Sequence, residues 1–106
     1  IPTRALGSAV VGCGNASGRD TDKFAALGLT ATPAGVVDVP RVAECFASFA
    51  CRVVDARLAR SRNCFILEVV KAWADPSIRN PKTLHHRGYD AFMVAGPTIR
   101  LKSAKP

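Results

Sequence analysis

The feature that most constrains this chain is a pair of β-rich runs, AECFASFACRVVDARLA and NCFILEVVKAWA, separated by the short polar stretch RSRN at residues 60–63. Runs this rich in Val, Ile, Phe and Cys, flanking a polar turn, predict a hairpin of long antiparallel strands. Symmetric closure on residues 61 and 62 would set Arg52 opposite Lys71 and Asp55 opposite Glu68. Like charges directly opposed are unfavourable, so a register shift or bulge is expected.

The flanking segments are shorter and more broken. PTRALGSAVVG, residues 2–12, predicts a short amphipathic helix, with Thr3 as possible cap and Gly12 and Gly14 as stops. Asp20 or Thr21 can cap a second short helix, DKFAALG, ended by Gly28. Residues 29–41 hold three strand-like patches interrupted by Pro33, Gly35 and Pro40, and predict a connector or edge segment. Residues 74–90 form a polar excursion, after which AFMVAGPTIRLKSA predicts a last hairpin turning at Ala95, Gly96 and Pro97. Two short helices followed by antiparallel strands exclude a repeating βαβ pattern. They predict an all-β architecture with short helices, either a small barrel or an α+β sheet.

Fifteen Lys and Arg against eight Asp and Glu give a formal charge of +7, which favours anionic partners. No apolar run approaches the roughly 20 residues of a membrane-spanning helix. Cys13, Cys45, Cys51 and Cys64 form no CxxC pair, and Cys45 and Cys51 on one strand would stand roughly 20 Å apart, beyond disulfide reach. Reduced, buried thiols are expected, and adjacent His85 and His86 do not make a zinc site.

Two stretches can carry chemistry. GCGNASGRDTDKF, residues 12–24, is no dinucleotide fingerprint, because Ser17 stands where a third glycine is required and a helix precedes the loop. Gly14 and Gly18 permit exposed amides, Ser17 offers a hydroxyl, and Arg19 and Lys23 offer charge ahead of a helix start. The set suits a phosphate, and equally a capped bend. KTLHHRGYDAF, residues 82–92, concentrates Lys82, His85, His86, Arg87 and Tyr89 on a loop able to grip a nucleotide or a flat ring. A solvated basic loop is the alternative. Trp73 and Phe92 read as core or interface aromatics. No nucleophile elbow or acid–base pair is evident, so any catalysis would rest on a bound cofactor.

In order, IPT, VVGCGNASGRDTDKFAALGLT, ECFASFACRVVD, NCFILEVVKAW and NPKTLHHRGYDAF resemble the flavin reductase-like family of FMN-binding split barrels, which includes flavoredoxin. The resemblance covers essentially residues 1–106 and implies an antiparallel FMN-binding split barrel. It further implies a cytoplasmic homodimer that moves electrons between NAD(P)H or a protein donor and non-covalently held flavin. By matching segments, Ser17, Gly18, Arg19 and Lys23 would fall at the phosphate or ribityl edge. Phe24 would border the ring, and His86, Arg87 and Gly88 would lie near the isoalloxazine or the nicotinamide. Family members carry further strands before the segment matching IPT, so the domain is expected to lack its N-terminal strands. Two other readings stand beside this one: a non-catalytic remnant, and a basic nucleic-acid module using Arg57, Arg60 and Arg62 with the HHRG loop.

Overall fold

The computed structural model describes residues 1–102. A single 3-10 turn, Arg4–Leu6, leads into α1 (Gly7–Asn15), and α2 (Lys23–Leu27) comes next. After these come β1 (Ala31–Pro33), β2 (Pro40–Val42), β3 (Ala47–Asp55), the one-turn helix α3 (Ala59–Arg62), β4 (Ile66–Ala74), β5 (Leu84–Gly88) and β6 (Ala91–Val94). All pairing between the strands is antiparallel, in three separate two-stranded sheets, β1–β2, β3–β4 and β5–β6. The β-dominated architecture with short helices is as expected. Among the described residues the strands do not close into a barrel.

The long hairpin forms in a register shifted from symmetric closure, which avoids the like-charge clash, and two bulges interrupt it. Ala47 to Ala50 pair with Ala74 to Lys71, and Cys51, Arg52 and Val53 then pair with Val69, Glu68 and Leu67. Val70 is thus the extra residue on β4. Val54 is the extra residue on β3, before Asp55 meets Ile66. The strands are joined by a helical turn, not by the simple polar turn expected at residues 60–63. Asn63 ends α3 in the left-handed conformation, φ 48°, donating its N–H to the Ala59 carbonyl.

Several local expectations are corrected. α1 runs through Gly12 and Gly14 to Asn15, and Thr3 makes no side-chain cap. Gly12 serves close packing instead: a Cβ there would lie 2.6 Å from Leu27 Cδ2. The cap of α2 is Asp22, whose Oδ1 accepts the N–H groups of Phe24 and Ala25 at 3.0 and 3.2 Å. The last hairpin is β5–β6, turning at Tyr89 and Asp90, and residues 95–102 form no strand. Residues 103 and 104, the end of the segment expected to form that hairpin, lie outside the described residues. Cys45 precedes β3 and does not share it with Cys51. All four thiols are free as expected, but none is buried: Cys13, Cys45 and Cys51 are half-buried and Cys64 is exposed.

The interior is thin. Among the described residues only Ala34, Ala47 and Ala50 are buried. Accessible surface reaches 8735 Å², against about 5,700 Å² for a folded monomer of 11.2 kDa. The radius of gyration is 16.3 Å, where about 13 Å is usual for this length.

One face of β3–β4 contributes an uncovered apolar surface. Cross-strand partners share a face, so the pairing puts Ala47, Phe49, Cys51 and Val53 beside Ala74, Ala72, Val69 and Leu67. Phe49, Val53, Leu67 and Val69 are each more than half exposed there. The opposite face carries Ser48, Ala50, Arg52, Glu68, Lys71 and Trp73.

Candidate functional site

The loop between α1 and α2 is ordered by its own polar groups. Ser17 Oγ accepts the Arg19 N–H at 3.2 Å, and the Ser17 carbonyl accepts the N–H groups of Asp20 and Thr21 at 3.3 and 3.1 Å. Lys23 Nζ donates to the Cys13 carbonyl at 2.6 Å. This places an ammonium on the carbonyl end of α1, where the helix dipole and an unpaired carbonyl both favour it. Lys23 therefore clamps the two ends of the loop together.

Arg19 is exposed and donates no side-chain hydrogen bond to any described residue. The N–H groups of Gly18, Asp22 and Lys23 also meet no acceptor among the described residues. The start of α2 is a different matter. The Asp22 carboxylate occupies the Phe24 and Ala25 amides there, so the groups left free around this loop, among the described residues, are the Arg19 guanidinium and the Gly18, Asp22 and Lys23 amides. Phe24, the second residue of α2, is half-buried.

The second cluster is a hairpin and not the open loop expected from sequence. His86 pairs with Phe92, their rings 4.9 Å apart and tilted by 41°. His86 Nε2 donates to the Tyr89 carbonyl at 2.9 Å, a bond only the Nε2–H form can make. Its Nδ1 has no hydrogen-bond partner among the described residues. The bulge between the His86–Phe92 and Gly88–Ala91 pairs leaves Arg87 unpaired and exposed. Gly88, at φ 108°, adopts a backbone that side-chain-bearing residues rarely take.

Sequence reasoning overlooked the geometry of the next residue. Tyr89, at φ 51°, is wholly exposed at the tip of the turn. The only hint was an aromatic residue directly after a glycine in a turn.

The two clusters share a frame through the N-terminal segment. Arg4 N–H donates to the Lys82 carbonyl at 2.8 Å, Leu84 N–H to the Pro2 carbonyl at 3.0 Å, and Thr3 bridges Thr83. The segment leading into α1 is thereby joined to the segment leading into β5. Ser17, Gly18 and Arg19 lie on the loop before α2 with Lys23 and Phe24 at the start of that helix, while His86, Arg87 and Gly88 form the end of β5. No hydrogen bond among the described residues links the two groups directly.

Two concavities lie elsewhere. One, an open hollow of about 650 Å³, is lined by Ala31 and residues 33–40. The other, of about 400 Å³, is lined by Asp55, Arg57, Leu58, Cys64 and Ile66. Neither includes any of the eight residues above. Arg57 is turned back onto Asp55 at 2.6 Å, which removes one cation from the Arg57, Arg60 and Arg62 group.

Residues 6–93 match the family described as flavin reductase like domain. The chain belongs to the flavin reductase-like family. Both clusters fall inside the matched segment of this flavin reductase-like domain. The chain is 33% identical over 98 residues to an uncharacterized Escherichia coli K12 protein, YddH, covering 81% of this chain and 52% of that one.

Among solved structures, the FMN-binding domain of a flavin reductases-like enzyme from Shewanella baltica superposes with a TM-score of 0.84. Identity there is 26%, over 96% of this chain and 61% of that one. The flavoredoxin of Desulfovibrio vulgaris (Miyazaki F), 24% identical with a TM-score of 0.79, shares the fold over 99% of this chain and 61% of its own. The flavin reductase-like chain described here thus spans between half and two thirds of the length of these relatives. Among its described residues no helix is long and apolar enough to cross a membrane, and no group of three or more potential metal-ligating side chains gathers.

Proposed function

We propose that this chain contributes to a non-covalent FMN site and serves electron transfer between NAD(P)H or a protein donor and flavin. The observation that carries the reading is the family match over residues 6–93, which contains both clusters. It is supported by the FMN-binding description of the Shewanella baltica domain, 26% identical to this chain.

The residues suit the group. A phosphate monoester needs a free cation and unpaired N–H donors, and Arg19 with the Gly18 and Lys23 amides supplies them. Ser17 shapes the turn that presents those amides. Lys23 acts by clamping the loop to α1, which leaves Arg19 as the phosphate cation.

Phe24 borders the ring from the start of α2. On the hairpin, the bond from His86 Nε2 to the Tyr89 carbonyl and the contact with Phe92 fix the imidazole, directing Nδ1 outward. Arg87 at the bulge offers a second cation for the flavin edge or for nicotinamide phosphates. Bound FMN supplies the hydride and single-electron chemistry, while the protein's part is binding, orientation and electrostatics.

The uncovered apolar face of β3–β4 supports assembly as a homodimer, and the reading places the protein in the cytoplasm. The deciding experiment is reduction of the FMN-loaded protein by NADH or NADPH without oxygen, monitored by flavin absorbance. Bleaching by either nicotinamide supports a reductase. Bound flavin that ignores both points to a protein donor, and failure to bind FMN overturns the proposal.

A further inference from the structure

On the polar face of the β3–β4 ribbon two cations meet one indole. Arg41, from β2, places its guanidinium carbon 5.0 Å from the centre of the Trp73 ring, and Lys71 places Nζ 5.1 Å from it. The two charges therefore lie no more than about 10 Å apart. Lys71 and Trp73 are two positions apart on β4 and point the same way, and their partners across the ribbon, Ala50 and Ser48, are small. The lysine is exposed, and the half-buried indole lies between its strand and the cations set against it.

Neither cation has an anionic partner. The only ion pair among the described residues is Arg57 with Asp55, far along the ribbon. Arg41 Nε is enclosed and bonds to nothing. The remaining charges on this face, Arg52 and Glu68, stand across from one another. The nearby acid of the β2–β3 turn, Glu44, is occupied by the Thr30 N–H at 2.9 and 3.1 Å. Two like charges are thus held together at an aromatic ring with unused N–H donors, and a multivalent oxyanion between them would relieve the repulsion and accept those donors. Because both cations sit over the indole, it is not free to stack a base, so the anionic group is what the site can recognise.

We propose that Arg41, Lys71 and Trp73 form a site for a diphosphate group, distinct from the two clusters assigned to flavin. Trp73 is the only tryptophan of the chain, so its emission reads this site alone. The probe is inorganic pyrophosphate, titrated at constant ionic strength, with a nucleoside diphosphate in parallel.

The expected result is a saturable change in emission whose midpoint rises about tenfold or more in Lys71→Gln and in Arg41→Gln. In Arg19→Ala the midpoint should stay where it is, which separates this site from the proposed flavin phosphate loop. Equal midpoints for the two probes would mean that the diphosphate is the whole recognised group, and a lower one for the nucleotide that the nucleoside adds contacts. Circular dichroism verifies folding, and the exposed Lys71 variant decides the matter should Arg41→Gln unfold. A response that merely tracks sodium chloride, or a midpoint unmoved by Lys71→Gln, overturns the proposal.

Discussion

Arg52 stands directly across the β3–β4 ribbon from Glu68, although symmetric closure of the hairpin would have set it against Lys71. The ribbon closes with Lys71 opposite Ala50, and the extra residue Val70 then moves Arg52 from Val69 onto Glu68. Glu68→Lys restores the like-charge opposition and should lower stability by about 0.5 kcal/mol. Adding Arg52→Glu should return most of it, as a urea-midpoint comparison of the single and double variants would show. Equal midpoints for the two would mean that this pair does not help to set the register.

Leu27 covers Gly12 so closely that α1 and α2 pack only where α1 lacks a side chain. Alanine in place of a mid-helix glycine ordinarily gains about 1 kcal/mol. Here Gly12→Ala should fall short of that gain or lose stability, since Leu27 must shift. In a Leu27→Ala background the same substitution should stabilise. Thermal melts of the four proteins measure the coupling, and simple additivity would refute the contact.

Two carboxylates on the ribbon and just beyond it are held below their ordinary values: Asp55 by the Arg57 side chain and then its N–H, and Asp75 by the Ser77 hydroxyl and then its N–H. A depressed folded value means that the stabilisation is present above the unfolded value, about 4, and is lost as pH falls through the folded one. Unfolding monitored from pH 6 to pH 2.5 should therefore show a loss below about pH 4 that is shallower in Asp55→Asn with Asp75→Asn. An unchanged slope in that double variant would assign the acid sensitivity elsewhere.

The apolar face formed by Phe49, Val53, Leu67 and Val69 should drive self-association. Sedimentation should show mass rising with concentration, and Val69→Lys, which puts a charge at the centre of the face, should shift the distribution toward monomer. A chain that stays monomeric at all concentrations would contradict assembly through this surface.

The hairpin of long strands is legible in the sequence because Val, Ile and Phe cluster on both sides of a polar stretch, and charge placement calls for a register shift or a bulge. What the sequence leaves open has physical reasons. Glycines at 12 and 14 read as helix stops because local propensity carries no information about Leu27, which is brought over α1 by tertiary packing. The sequence points to Asp20 or Thr21 as the cap of α2, and only the backbone geometry selects Asp22 beside them.

Turn propensity alone sets the final hairpin one strand too late, since Gly96 and Pro97 are stronger turn residues than Tyr89 and Asp90. The pairing of residues 2–4 with 82–84 that joins the two clusters is long-range and leaves no local mark. In the candidate site, the charged residues are legible by type. That Lys23 is engaged by the Cys13 carbonyl while Arg19 is free is not, because nothing local distinguishes a clamp from a ligand cation.

Arg19, and not Lys23, is therefore the cation proposed for the flavin phosphate, and titration with FMN of the parent chain and of Arg19→Ala, read by flavin fluorescence, tests that assignment most directly. Saturable quenching by the parent at micromolar protein is expected, with affinity about tenfold weaker in the variant, equivalent to about 1.4 kcal/mol. No quenching by the parent, or equal affinity in both proteins, would contradict it.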